Sequence, residues 1–241
     1  MISMKKAALG NGSGSEAEPR SESRTTLRRF MGLELEWAPG VLVPRPETEL
    51  LARAALERLD QAARVADLCC GCGNLAAIIA LAAPASRIVA ADISAAATAL
   101  ARRNMARLRV SDRVVVREGD LFSALANDRR DGPFDMIVAN PPYISSARLD
   151  SEASHLLLDE PREAFDGGPY GLSIHQRLIS DAPAFLAPGG RLLFEFGAGQ
   201  ERQIELLFAR ARSFEDIVFL PDEGGRPRVA AATLRGRLVT R

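Results

Sequence analysis

No apolar run in this 241-residue sequence approaches the ~20 residues a membrane-spanning helix needs, and no apolar segment precedes a small-residue cleavage site near the N-terminus. A transmembrane helix and a secretory leader are therefore not expected; a cytoplasmic protein is. Charge of one sign is missing too: lysine and arginine total 31, aspartate and glutamate 31. Without a bulk field to attract phosphate backbones or anionic lipid, long nucleic acid and membrane surfaces are disfavoured as partners. Lysine is nearly absent, with only Lys5 and Lys6. The three cysteines, Cys69, Cys70 and Cys72, are too crowded for a disulfide framework. A zinc site would need a fourth ligand from His155 or His175, far along the chain, so no metal is expected.

What is present is ordinary globular material, 47% apolar and 26% charged, enough for one large α/β domain with a buried core. Residues 1–26 are rich in Gly, Ser, Glu and Arg without apolar periodicity, and are expected to be a disordered tail. Residues 27–46 are expected to hold a β-hairpin and a lead-in, with short β-like stretches from Phe30 to Val43 around Ala38-Pro39-Gly40. The main domain follows over 47–241, its first helix starting near Pro46 with leucines and alanines at helical spacing from Leu50 to Ala63.

From there strands and helices alternate. Strands are predicted at Arg64–Cys69, Arg87–Asp92, Arg113–Arg117, Phe134–Ala139, Arg191–Phe196, Phe214–Leu220 and Arg228–Leu234. Helices are predicted at Leu75–Leu81, Ala95–Leu108, Leu172–Leu186 and Gln200–Ala211. Such alternation implies a doubly wound, mainly parallel, seven-stranded Rossmann-like sheet covered on both faces.

In that architecture ligands bind beyond the carboxyl ends of the strands, which points to the first strand-to-helix turn. It reads Asp67-Leu68-Cys69-Cys70-Gly71-Cys72-Gly73-Asn74. Gly71 and Gly73 allow a sharp turn and close backbone approach to a ligand. Asp92 ends the second strand nineteen residues after Gly73, the spacing at which a carboxylate accepts hydrogen bonds from ribose hydroxyls. Two other readings stay open: a tight turn with Asp92 capping the helix from Ser94, and a dinucleotide site, against which Ala76 stands where the third glycine belongs.

The fourth strand runs straight into Asn140-Pro141-Pro142-Tyr143. Two prolines end a strand rigidly and hold their neighbours in place. Asn140 could accept one N–H of a planar nitrogen through its side-chain oxygen and the Pro141 carbonyl the other, with Tyr143 stacked on the planar group. That arrangement suits transfer to a delocalised, poorly nucleophilic nitrogen, which must be held ~3 Å from the carbon it attacks. A plain β-turn is the alternative.

These residues resemble the class I S-adenosylmethionine methyltransferases and, within them, the release-factor glutamine-N5 methyltransferase family. The likeness spans about residues 30–235 and includes Arg45-Pro46-Glu47-Thr48-Glu49, Glu160-Pro161, Asp166-Gly167-Gly168, Gly171-Leu172 and Glu195-Phe196-Gly197 with Gln200. The resemblance implies S-adenosyl-L-methionine as cofactor, with Asp67 and Cys69 to Gly73 in the loop that wraps its methionine part and Asp92 on the ribose. It implies Leu121, beside Asp120, against the adenine and Thr48 closing over the methionine end. It also implies that Asn140, Pro141, Pro142 and Tyr143 bind the substrate amide. Family members acting on release factors carry a helical docking domain ahead of the hairpin, where this sequence offers only about 29 residues.

The expected function is thus N-methylation of a glutamine amide in a protein such as a release factor. Methylation of a small-molecule amine or amide, of a nucleic-acid base, and a non-catalytic cofactor-binding module stay open as alternatives.

Overall fold

A computed structural model describes residues 25–126, 132–158 and 160–236. Residues 1–24 of the expected tail lie outside the described residues, and Thr26 already begins a strand. That strand, β1 (Thr26–Phe30), pairs antiparallel with β2 (Leu33–Trp37). The hairpin exists, but its turn is not at Ala38-Pro39-Gly40. The chain reverses at Met31-Gly32, with φ of 48° and 79°. Positive φ at both central positions matches the right-handed twist of the flanking strands. The Met31 N–H donates to Glu49 Oε1 at 3.0 Å, which anchors the turn to the following helix.

The main domain alternates α1 (Thr48–Glu57), β3 (Arg64–Leu68), α2 (Asn74–Ala82), β4 (Arg87–Asp92), α3 (Ala95–Arg107), β5 (Val114–Glu118) and β6 (Phe134–Ala139). After a short α4 (Ser146–Leu149) come α5 (Ser173–Asp181), β7 (Leu186–Glu195), α6 (Glu201–Ala211), β8 (Phe214–Pro221) and β9 (Pro227–Leu234). The sheet order is β5-β4-β3-β6-β7-β9-β8, parallel except at β9, which runs against both neighbours. Because β4 and β6 flank β3 on opposite sides, the strand order reverses there and a crevice opens at the carboxyl ends of β3 and β6.

Helices cover both faces. Val65, Ile88 and Ala90 pack with Leu51 of α1, Ile79 of α2 and Leu100 of α3 on one side. Leu68, Ile137 and Phe194 pack with Leu178 of α5 and Phe208 of α6 on the other. Burial of these side chains, each worth roughly 1.5–3 kcal/mol, is the main driving force for this arrangement.

Two element boundaries depart from expectation. The helix expected through Leu186 stops at Asp181 and tightens into a 3-10 turn over Ala182–Ala184, since Pro183 lacks the N–H an α-helix needs. The next strand then starts at Leu186 rather than Arg191. Leu186 pairs with Phe134, four residues bulge, and Arg191 resumes opposite Met136. Among the described residues no helix is long and apolar enough to cross a membrane.

Candidate active site

A cleft of about 450 Å³ lies beyond the strand ends. Cys69 and Gly71 after β3, Asp92 and Ile93 at the end of β4, Asp120 and Leu121 after β5, and Asn140 and Pro142 after β6 form its floor. Asp92 is fixed from two directions: its Oδ2 accepts the Gly71 N–H at 2.8 Å and its Oδ1 the Ser94 N–H at 2.9 Å. The helix-cap alternative is thereby placed elsewhere, because Ser94 Oγ caps α3 by accepting the Ala97 N–H at 3.3 Å. Burial raises the Asp92 pKa, and the backbone N–H groups of Ser94, Gly71 and Ile93 oppose that shift.

Gly73, at φ 83°, is required by packing as well as by conformation. A Cβ there would stand 2.9 Å from Met105 Cε and 3.2 Å from Ala101 Cβ, pushing α3 off the loop. Cys69 adopts φ 58°, a left-handed conformation that favours glycine, and faces the cleft. Cys70 and Cys72 point into the core. Burial pushes all three thiols up, Cys72 to about 12, so they stay protonated and poorly nucleophilic. Among the described residues no group of three His, Cys, Asp or Glu could hold a metal ion.

Asp67 lies beneath this loop, fully buried at its position between β4 and β6. Its Oδ2 accepts the Ala76 N–H at 3.0 Å, while Oδ1 has no partner. Burial, reinforced by the Asp92 charge and opposed by the Ala76 bond, lifts its pKa to about 8. Asp120 pairs with Arg177 at 2.8 Å at the rim.

A second cavity of about 270 Å³ shares Leu42, Asn140 and Ala164 with the cleft. Pro142 faces the cleft whereas Pro141 and Tyr143 face the second cavity, so Asn-Pro-Pro-Tyr forms the partition. Arg45, Glu47, Glu195 and Arg228 supply the charged wall of this cavity, and Ile144, Leu156 and Phe165 an apolar one.

Behind the partition runs a buried hydrogen-bond chain. Asn140 Nδ2 donates to Thr48 Oγ1 at 2.9 Å, and the Thr48 hydroxyl donates to Glu195 Oε2 at 2.8 Å. The Tyr143 hydroxyl donates to Glu195 Oε1 at 3.1 Å. Arg228 donates to the Tyr143 hydroxyl at 3.1 Å and lies 3.4 Å from Glu195 Oε1. Burial raises the Glu195 pKa, against the pull of Thr48, Arg228 and Tyr143, and burial raises that of Tyr143 as well.

The Tyr143 main chain is clamped too. Gln200 Nε2 donates to its carbonyl at 3.0 Å, and a Cβ on Gly171 would come within 2.3 Å of that oxygen. Over the cleft, residues 40–42 and 161–164 contribute further walls. Glu160 ties the two segments by accepting the Val43 N–H at 2.7 Å and pairing with Arg45.

Of the residues expected to act, the structure gathers Cys69, Gly71, Asp92, Asp120, Leu121, Asn140 and Pro142 in the cleft, and Asn140, Pro141 and Tyr143 in the second cavity. Asp67, Cys70, Cys72, Gly73 and Thr48 line neither cavity. Sequence reasoning missed Arg228 altogether and gave Glu195 and Glu160 no role. For Glu195 a signal existed: a carboxylate inside the run Leu192-Leu193-Phe194-Glu195-Phe196 has to be partnered if that strand is buried.

Comparison with known proteins gives the family and the fold. The methyltransferase small domain matches residues 46–169. A release factor glutamine methyltransferase of Geobacter sulfurreducens is 38% identical over 207 residues, covering 86% of this chain and 70% of that protein. One from Moorella thermoacetica is 37% identical over 213 residues, covering 88% and 74%. Among solved structures, a T. thermophilus 16S rRNA N2 G1207 methyltransferase in complex with AdoMet and guanosine superimposes with a TM-score of 0.65 at 20% identity, over 92% of this chain and 53% of that one. A ribosomal protein L11 methylase from Lactobacillus delbrueckii subsp. bulgaricus gives 0.59 at 23% identity, covering 83% of each. These two likenesses speak to the fold alone.

A glycine loop at the switch point, a clamped carboxylate after the second strand of the sheet and a proline partition beyond β6 define an S-adenosylmethionine-dependent methyltransferase. Within that class, the chain belongs to the release factor glutamine methyltransferase family.

Proposed function

We propose that this enzyme methylates the side-chain amide nitrogen of a glutamine in a peptide chain release factor. The observation that carries the reading is the place of Asn140, whose amide nitrogen is tied back to Thr48 while the residue lines both cavities. Among the described residues its oxygen accepts no hydrogen bond, which leaves it for a substrate N–H. The names of the relatives favour this substrate over a small-molecule amine. A release-factor substrate would put the reaction in the cytoplasm.

The residues fit the cofactor. The Asp92 carboxylate keeps lone pairs for ribose hydroxyls after binding Gly71 and Ser94. Leu121, Ile93, Ala97 and Ile174 offer apolar surface for a purine. When bound, the cofactor supplies an electrophilic methyl on a sulfonium, which departs as a thioether as the nitrogen takes the methyl and sheds a proton.

The chain's own part is positioning. The Asn140 oxygen and the Pro141 carbonyl, to which no hydrogen bond is made among the described residues, would each accept one amide N–H. Those acceptors draw charge onto a nitrogen whose lone pair must leave conjugation, an interaction that grows toward the transition state. Pro142 and Tyr143 would hold the amide plane, and the carbonyls and prolines keep the pocket rigid.

The test is incubation with methyl-labelled S-adenosylmethionine and a lysate separated into macromolecules and small metabolites. Label in a band of release-factor size, mapping to a glutamine, is expected. Label confined to the small-metabolite fraction would sink the reading.

A further inference from the structure

We infer that Glu195 is the positioning residue that decides which face of the Asn140 amide meets the substrate, acting through the Thr48 hydroxyl. The inference deepens the substrate-amide reading above and rests on it for its catalytic consequence.

An asparagine amide has two ends of nearly equal shape and opposite hydrogen-bonding character. Nothing in Asn140 itself selects between them. Thr48 cannot select either, since a hydroxyl both donates and accepts. Selection requires a group that only accepts, and Glu195 supplies it. Its side chain is 1% exposed at the end of β7. Its two oxygens receive the Thr48 hydroxyl at 2.8 Å and the Tyr143 hydroxyl at 3.1 Å, with the Arg228 guanidinium 3.4 Å away. Burial raises its pKa, and the Thr48, Arg228 and Tyr143 donors each pull it back toward the ionised, acceptor-only form.

Direction then propagates. Because the Thr48 hydrogen points at Glu195, its lone pair faces Asn140, and the atom 2.9 Å away must be the donor Nδ2. Thr48 is buried behind the partition and lines neither cavity, so the Asn140 oxygen is the end left facing them. The second arm has the same logic. Arg228 cannot accept, so it donates to the Tyr143 hydroxyl at 3.1 Å and turns that hydrogen toward Glu195. A reversed Asn140 would offer N–H groups to the N–H groups of an amide and repel it.

Three variants test the chain of donors. Glu195→Gln can both donate and accept, Thr48→Val keeps the shape without the hydroxyl, and Thr48→Ser keeps the hydroxyl. Turnover of the release factor should fall about 10- to 100-fold in Glu195→Gln and Thr48→Val, the range left by an unmet buried polar group, and Thr48→Ser should restore most of it. The cofactor dissociation constant should stay within about 2-fold throughout, as expected if the network serves the substrate side only.

A readout independent of any substrate is the side-chain amide signal of Asn140 in protein labelled with ¹⁵N-asparagine. It should be single and slow to exchange in the native protein and in Thr48→Ser, and shifted or doubled in Thr48→Val. If the native protein methylates no release factor, the substrate reading fails while this signal still judges the inference. An Asn140 signal unmoved by Thr48→Val, undiminished turnover in both disabling variants, or a matching loss of cofactor affinity would each overturn it.

Discussion

The cleft at the glycine loop is organised around one carboxylate bonded to nearby main chain, whereas the cavity beside it is wired by side chains that bond to one another across distant segments. In the cleft, Asp92 bonds to Gly71 across 21 positions and to Ser94 across two. In the neighbouring cavity, Asn140 reaches Thr48 across 92 positions, Thr48 reaches Glu195 across 147, and Arg228 reaches Tyr143 across 85. A cofactor common to many enzymes can be held by generic turn geometry. A particular nitrogen needs acceptors aimed in one direction, and aim comes from buried side-chain bonds.

If this division holds, lesions on the two sides dissociate. Asn140→Ala should lose at least ~2 kcal/mol of transition-state stabilisation, about 30-fold in turnover, with cofactor affinity nearly unchanged. Steady-state kinetics beside calorimetric titration of the cofactor reads both quantities. Asp92→Ala should do the converse, weakening cofactor binding by about 1.5 kcal/mol, near the lower value for a hydrogen bond to a charged group, while turnover at saturating cofactor persists. A variant that lost both together would erase the boundary between the cavities.

Asp67 sharpens the contrast from the cleft side. Its carboxyl holds its proton up to about 8 in the folded protein, against 3.8 when exposed. Between those values unfolding releases a proton, so the stability of the ligand-free enzyme should fall as pH rises through that window, by up to about 1.4 kcal/mol per pH unit. Urea midpoints across the window should show this slope, and Asp67→Asn should flatten it. Smallest in effect is Cys69→Gly. Relief of the left-handed backbone, partly offset by glycine's greater freedom when unfolded, should raise stability by roughly 0.5 kcal/mol in thermal melts. Because main chain builds this wall, cofactor affinity should hardly respond.

The same contrast explains what could be read from sequence. Strand and helix alternation and the seven-stranded sheet rest on local periodicity, and the fold bears them out; Gly71, Gly73 and Asp92 were singled out by short spacings, and the structure brings Gly71 and Asp92 to the cleft with Gly73 packed on α3. The Asn-Pro-Pro-Tyr partition was legible because proline imposes rigidity wherever it stands. The hairpin turn was misjudged because Ala38-Pro39-Gly40 carries the stronger local signal, while Met31-Gly32 is selected by a tertiary bond to Glu49. Thr48, expected at the methionine end of the cofactor, bonds to Asn140 and Glu195, two partners that no local pattern pairs with it. Glu195 and Arg228 form their contacts only after β7 and β9 pair in register, Glu195 opposite Val229, which no local pattern encodes.

The claim that the partition holds an amide nitrogen is tested most directly by locating the transferred methyl group. Fragmentation mass spectrometry of the methylated product, compared with an authentic methylated-glutamine peptide, should place it on a glutamine side-chain nitrogen. A methyl found on a carboxylate oxygen, a main-chain nitrogen or a ring nitrogen would contradict the account.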